Sequence, residues 1–169
     1  NKRCYIKKIE RRVYSIDLPK LENNKGLNIL IHNIDDFNNI KDDDYKEIYI
    51  DNYAEFKKIK DKRLIFKLPR VRTNHIIYDK ELLVGDIGGL KYKDIITDFS
   101  FNVVNSYSIA YLHSLGVKRV TLSYELNDKQ MSDMIESFKN RYNVCPNLEL
   151  IVSSYPEVMI SKYNLYKQY

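Results

Sequence analysis

Residues 82–126 read LLVGDIGGLKYKDIITDFSFNVVNSYSIAYLHSLGVKRVTLSYEL, and this stretch decides the fold that the sequence predicts. Three short apolar strands, expected at residues 82–84, 99–103 and 120–123, alternate with segments whose composition suits helices. Buried parallel strands are typically continuous apolar runs, and ligand-facing groups follow their carboxyl ends. The stretch therefore predicts repeated βα units in an α/β domain.

The same alternation extends to both sides of this stretch. Strands are predicted to begin near residues 27, 47, 63, 82, 98, 119 and 148. About seven parallel strands with short helices, at roughly 20 residues per unit, predict a TIM-like (β/α) barrel that is complete or incomplete. An open doubly wound sheet is the alternative. We assign residues 1–26 to a lead-in segment and residues 27–169 to the barrel-like domain.

Capping residues mark the ends of the predicted helices. Asn105, or Ser106 beside it, is placed to cap one helix, and Gly116 is expected to end that helix. The clearest helix spans residues 127–143, because its apolar side chains recur on one face.

Composition and charge describe a globular domain. Of the 169 residues, 44% are hydrophobic and 30% are charged. An excess of 28 Lys+Arg over 23 Asp+Glu gives a net charge of +5, which makes RNA an alternative partner. The sequence has neither a membrane-length apolar run nor a secretory leader, so we expect a cytoplasmic protein without membrane contact. Because it begins with Asn1 rather than Met, we expect a fragment whose partners include the remainder of a longer chain.

Several well-known motifs are missing from the sequence. The two cysteines, Cys4 and Cys145, lack CxxC spacing and cannot hold an iron–sulfur cluster by themselves. No GxGxxG or Walker loop supports nucleotide binding, no HExxH supports zinc, and no GxSxG supports a serine nucleophile. The sequence therefore predicts neither a metal nor a cofactor.

Polar side chains at the predicted strand ends form the candidate site, because these ends converge on one face in either architecture. Glu125 or Asp86 is the candidate general base. Arg70 and Arg72 could clamp a carboxylate or a phosphate with two parallel hydrogen bonds. The other candidate substrate-binding residues are His32, Asn102, Asn105 and Ser123.

Three of these residues also have a purely structural interpretation. Asp86 follows Gly85 and is equally suited to a turn or a helix cap. Asn105 is expected to be a helix cap first and a ligand second. Glu125 could form an ordinary ion pair with a basic neighbour such as Arg70.

A family resemblance adds an expected activity. Three segments follow one another in a specific order: GDIGGL at residues 85–90, FNVVNSYSIAYLHSLGVKRVTLSYEL at residues 101–126 and YPEVMISKYN at residues 155–164. Together they resemble the collagenase-like peptidases of family U-32, over roughly residues 27–164. The resemblance implies a barrel-like fold and a peptidase, a hydrolase that cleaves a peptide or protein substrate.

The matching positions carry the family's motifs. They are Gly85, Asp86, Asn102, Asn105, Ser106, Arg119, Ser123 and Glu125. Some relatives instead support hydroxylation of RNA bases or quinone precursors and carry a four-cysteine iron–sulfur site. Asn164 stands where the family usually has a cysteine, so no cluster is expected here. The alternatives to a peptidase are an RNA-modifying or RNA-binding protein and a non-catalytic interaction domain.

Overall fold

The structure, a computed structural model, describes residues 16–22, 25–70 and 80–155. The strands are β1 (Asn28–Ile31), β2 (Glu47–Ile50), β3 (Leu64–Lys67), β4 (Leu82–Val84), β5 (Ile95–Thr97), β6 (Val117–Thr121) and β7 (Leu148–Glu149). The α-helices are α1 (Ile34–Ile40), α2 (Tyr53–Lys58), α3 (Ser106–Ser114) and α4 (Asp128–Tyr142). Two 3₁₀ helices span Ile87–Lys91 and Phe99–Phe101. No helix within the described ranges is long and apolar enough to cross a membrane.

The seven strands form one parallel sheet in which each strand pairs with the next along the chain. The sheet curls into a half-barrel with short helices, so the fold is an incomplete TIM-like (β/α) barrel. The prediction of about seven parallel strands with short helices is confirmed. The doubly wound alternative is wrong, because that fold reverses its strand order at a switch point and this sheet does not.

The two faces of the sheet carry different side chains. Successive residues of a strand point to opposite faces. Ile48 and Ile50 of β2 therefore belong to the main core, where the fully buried Phe138 of α4 and Ile109 of α3 also pack. Tyr49, between the two isoleucines, points to the inner face of the half-barrel. There it forms a smaller buried cluster with Ile65, Leu83 and Ile96.

Helix α3 has the caps that the sequence predicts. The side chain of Asn105 accepts a hydrogen bond from the backbone N–H of Ser108 at 2.9 Å. Gly116 follows the helix with a φ of +90°, a conformation that L side chains rarely adopt. Of Asn105 and Ser106, Asn105 is therefore the N-cap, and Ser106 is the first residue of the helix.

Two predicted strands need correction. The strand expected at residues 99–103 is wrong, because β5 spans Ile95–Thr97 and Phe99–Phe101 is a 3₁₀ helix. The Asp98 side chain accepts the Ser100 N–H at 2.8 Å, and this contact turns the chain immediately after β5. The strand expected at residues 120–123 is also displaced, because β6 begins at Val117 and ends at Thr121.

Candidate functional site: a cavity at the barrel seam

A cavity of about 640 Å³ lies between β1 and β7, the two edge strands of the sheet as far as the described residues show. One wall contains residues 26–30, and the other contains residues 148–155. Inner-face side chains complete it: Tyr49, Lys67, Leu83, Asp98, Arg119 and Thr121. We call this space the seam cavity. His32, Lys46 and Phe99 also line it.

Exposed apolar side chains occupy both walls of the seam cavity. Leu27 and Leu30 on the β1 side are exposed, as are Leu150 and Val152 on the β7 side. An exposed apolar patch on a globular domain usually marks a binding surface. These walls are suited to the apolar side chains of a ligand.

A buried polar network forms one end of the seam cavity. Its members are Asn28, Glu47, Tyr49, Arg119 and Glu149. Arg119 is 7% exposed; its Nε donates to Glu149 Oε2 at 2.9 Å, and its guanidinium also pairs with Glu47. Tyr49 donates to Glu149 Oε2 at 2.8 Å and accepts from Arg119 Nη2 at 2.8 Å.

The network keeps fixed charges. Burial, with the negative charge of Glu149, raises the pKa of Tyr49 far above its usual range. Burial opposes the charge on Arg119, but the hydrogen bond to Glu47 and the neighbouring acidic groups outweigh it and raise the pKa of Arg119. Tyr49 therefore stays protonated and Arg119 stays charged, which suits a structural role.

The same network joins the two edges of the sheet. Asn28 of β1 donates from Nδ2 to Glu149 Oε1 of β7 at 3.2 Å. Asn28 and Glu47 are the first residues of β1 and β2, so the contact lies near the amino ends of those strands. Side chains rather than a backbone ladder thus close the half-barrel at this end of the seam.

Asp98 is the carboxylate with an available oxygen in the seam cavity. It follows β5 and is 4% exposed. Its Oδ1 accepts the Ser100 N–H, whereas its Oδ2 has no hydrogen-bond partner among the described residues. A buried polar oxygen costs free energy unless it receives a hydrogen bond. The Asp98 Oδ2 is therefore a hydrogen-bond acceptor that the described residues leave unused, in a residue that lines the cavity.

Gly85 makes the position of this carboxylate possible. A Cβ at residue 85 would lie 2.7 Å from Asp98 Oδ2, closer than real Cβ atoms approach their neighbours. The missing side chain leaves the space that the carboxylate occupies. Gly85 is thus required for a close approach rather than for an unusual φ.

Lys67 brings a positive charge to the same cavity. It is the last residue of β3, is 8% exposed and pairs in register with Leu83 of β4. On the inner face, Leu83 pairs with Ile96 and Ile96 with Arg119, so Lys67 belongs to the same side-chain row as Arg119. The cavity therefore contains the carboxylate of Asp98 and the positive charge of Lys67. Both residues lie at strand carboxyl ends, where barrel enzymes bind their substrates.

A histidine and a carboxylate meet at the mouth of the seam cavity. His32 follows β1 and Asp51 follows β2, and His32 Nδ1 lies 2.8 Å from Asp51 Oδ2. The His32 backbone N–H donates to Asp36 Oδ2 at 3.0 Å, which fixes the loop. His32 lines the cavity, with its side chain 66% exposed.

The predicted catalytic carboxylates lie elsewhere. Glu125 is exposed and lines a separate open groove of about 560 Å³ between α3 and α4, together with Asn105. Asp86 occupies the N-cap position of the 3₁₀ helix Ile87–Lys91 and makes no side-chain capping hydrogen bond there. Neither Glu125 nor Asp86 lines the seam cavity.

Most of the predicted substrate-binding residues have local structural contacts. Asn102 ends the 3₁₀ helix Phe99–Phe101 with a φ of +48°. Ser123 is buried, and its backbone N–H donates to Val103 O at 3.2 Å. The Arg70 guanidinium lies 5.3 Å from the centre of the Phe99 ring. Arg72 and Asn164 lie outside the described residues, and His32 is the predicted site residue that lines the seam cavity.

Sequence reasoning missed Asp98 and Lys67. Asp98 directly follows the apolar run Ile95–Thr97, so the usual rule for strand ends would have found it. The misplaced strand at residues 99–103 put Asp98 before a strand instead of after one. The Lys67 side chain points inward because the sheet curls, and a local sequence pattern does not predict that curl.

The comparisons with known proteins do not assign a function. No protein-family model, no curated protein and no solved structure matches the chain. Within residues 16–22, 25–70 and 80–155, no group of three or more His, Cys, Asp or Glu side chains could hold a metal ion. A functional proposal therefore depends on the geometry of the seam cavity.

Proposed function

We propose that this chain is a peptidase domain that binds an extended peptide in the seam cavity and hydrolyses it with Asp98 as the general base. The observation that carries the proposal is the buried Asp98, which lines the cavity and whose Oδ2, beside Gly85, lacks a hydrogen-bond partner among the described residues. The proposed base differs from Glu125 and Asp86, the residues that the sequence favours.

The walls of the cavity favour an extended peptide. β1 and β7 are edge strands within the described part of the chain, and an edge strand offers backbone N–H and C=O groups to a peptide that adds as a further strand. Leu27, Leu30 and Leu150 are exposed beside these edges and would contact the alternate side chains of such a peptide. A peptide satisfies both the polar edges and the apolar walls.

The charges of the cavity do not favour RNA. Recognition of a phosphate backbone needs several cations that are available to phosphates. The guanidinium of Arg119 is already bound to Glu47 and Glu149, and Asp98 adds a negative charge to the wall. Three basic side chains, Lys46, Lys67 and Arg119, line the cavity against two acidic ones, Asp98 and Glu149, so little of the net charge of +5 lies there.

The proposed hydrolysis uses groups that line the cavity. Asp98 Oδ2 takes a proton from a water molecule, and the water oxygen forms a bond to the peptide carbonyl carbon. Lys67 lines the same cavity, and its positive charge would stabilise the oxyanion of the tetrahedral intermediate. Collapse of the intermediate restores the carbonyl and breaks the carbon–nitrogen bond as the leaving nitrogen takes up a proton.

Asp98→Asn tests this proposal against Glu125→Gln. The amide of Asn can still accept the Ser100 N–H, so the turn after β5 is retained while the base is removed. With a library of fluorescence-quenched peptides, we expect Asp98→Asn to lower kcat/KM by about 100-fold or more. Glu125→Gln should leave the rate unchanged, because Glu125 lines the other groove.

Two outcomes would contradict the proposal. A wild-type chain that cleaves no peptide of the library would refute the peptidase function. An Asp98→Asn variant with wild-type activity would remove Asp98 from the mechanism. Urea unfolding of each variant controls for the loss of folded protein.

A further inference from the structure

The pairing of His32 with Asp51 has the geometry of a positioned proton-transfer group. At 2.8 Å, one of the two atoms must donate, and an ionised carboxylate only accepts. His32 therefore carries a proton on Nδ1 and directs it at Asp51. Its Nε2 is then the ring nitrogen left to exchange a proton with a ligand, as in other sites where a carboxylate orients a histidine.

The location of the pair connects it to the seam cavity. β1 and β2 are neighbours in the parallel sheet, so the residues that follow them lie side by side at the carboxyl edge. His32 lines the seam cavity, as does Asp98. The hydrogen bond from the His32 backbone N–H to Asp36 holds the main chain of the histidine in place.

Peptide hydrolysis needs a proton donor as well as a base. An amine is a poor leaving group unless its nitrogen is protonated as the carbon–nitrogen bond breaks. Tyr49 also lines the cavity, but its hydroxyl hydrogen is committed to Glu149, and burial with that negative charge raises its pKa. His32 is the cavity residue whose side chain combines a titratable nitrogen with an orienting carboxylate.

We propose that His32 is the general acid that protonates the leaving nitrogen and that Asp51 is its positioning residue. The inference rests on the proposed peptidase function of the seam cavity. Imidazolium His32 gives its Nε2 proton to the peptide nitrogen as the electron pair of the carbon–nitrogen bond moves to that nitrogen. The proton that Asp98 took from water then returns to His32 through solvent, which restores both groups.

The test compares two leaving groups on the same acyl segment. A peptide that the wild-type chain cleaves is paired with the p-nitrophenyl ester of its acyl half, whose phenolate departs without a proton. We expect His32→Gln to lower kcat/KM for the peptide by about 100-fold and to change that for the ester by less than about threefold. Asp51→Asn should shift the peptide-to-ester ratio in the same direction, whereas Asp98→Asn should slow both substrates.

Asp36→Ala is the matched control. Asp36 contacts the backbone N–H of His32 and not its ring, so its substitution disturbs the same loop without touching the proton donor. The peptide-to-ester ratio of this variant should equal the wild-type ratio. A ratio that falls in Asp36→Ala as far as in His32→Gln would show that the loop conformation, and not the acid, is responsible.

The outcomes separate this inference from the function on which it rests. If the wild-type chain cleaves the peptide but His32→Gln has an unchanged peptide-to-ester ratio, the general acid is refuted and the peptidase stands. If the wild-type chain cleaves neither substrate, both proposals fall. Long-range ¹H–¹⁵N NMR of the wild-type chain gives a readout without turnover: a neutral His32 protonated on Nε2 instead of Nδ1 would also refute the pairing.

Discussion

At the residue scale, Gly85 leaves room for the carboxylate of Asp98, which lines the seam cavity. The carboxylate occupies the space where any other residue at position 85 would place its Cβ. The GDIGGL motif containing this glycine is visible in the sequence, but its partner thirteen positions later is not, because the contact exists only when β4 and β5 pair. The sequence thus shows the glycine but not the side-chain contact that requires it.

Gly85→Ala should displace the Asp98 carboxylate. Because the new Cβ would meet Oδ2 at 2.7 Å, the carboxylate must move, and a misplacement of about 1 Å can cost about 100-fold in rate. Peptide cleavage by this variant should fall to that extent. The control is Gly26→Ala in the same cavity, where the new Cβ would meet Lys46 Cδ at 2.7 Å and Lys46 Cβ at 2.8 Å, and so would crowd the cavity wall without touching Asp98. Equal activities of the two variants would contradict the assignment of Asp98.

His113 should make the stability of the domain fall in mild acid. The ring is fully buried and its Nδ1 donates to Val117 O at 2.8 Å, and burial lowers the pKa of His113. Below the unfolded pKa of about 6.5, unfolding takes up a proton that the folded state resists, so stability decreases as the pH falls. Titration of His113 changes the free energy of unfolding by at most about 1.4 kcal/mol per pH unit.

Urea unfolding at pH 7.5 and pH 5.5 measures this effect. The decrease in unfolding free energy between the two values should be smaller for His113→Asn than for the wild-type chain, whatever the variant's stability at pH 7.5. Equal decreases would show that His113 is not the titrating group.

At the scale of elements, most helices and strands follow from local patterns, and the errors have local causes. β4 spans Leu82–Val84 as predicted, since its apolar run is bounded by Gly85. The strand predicted at residues 99–103 begins four residues after the start of β5, because Phe99, Phe101 and Val103 resemble an alternating strand. The Asp98 side chain instead turns the backbone there. A single hydrogen bond from a backbone N–H to the Asp98 side chain thus decides the local structure against the periodic pattern.

The network around Arg119 holds β6 against β2 and β7, and its removal should be costly. Arg119→Met would leave Glu47 and Glu149 near each other without their cation, and breaking a buried ion pair typically costs about 3–5 kcal/mol. Lys118→Met is the control on the same strand: Lys118 is half exposed and pairs with Glu81 and Asp94 at the surface, where a pair contributes about 1 kcal/mol or less. Urea unfolding should separate the two variants by at least about 2 kcal/mol. Equal losses would mean that the network does not stabilise the fold.

At the scale of the whole molecule, the fold class could be predicted and the site only in part. Repeated apolar runs that end in polar residues are a property of the sequence, and they led to the half-barrel and to His32. The seam cavity could not be predicted in the same way. Its walls come from the first and last strands, and its polar network joins Asn28 to Glu149 across 121 positions. No local pattern contains a contact between residues that distant.

The sequential strand order has a consequence for the time course of folding. Every backbone ladder among the described residues joins consecutive strands, so each pairing closes a short loop and is expected to form early. The hydrogen bond between Asn28 and Glu149 spans 121 positions and must wait until all seven strands have assembled. We therefore expect the seam cavity to be completed late in folding. A nascent or partly folded chain would hold most of its ladders and still lack the seam cavity, which would delay the proposed peptidase activity until folding is finished.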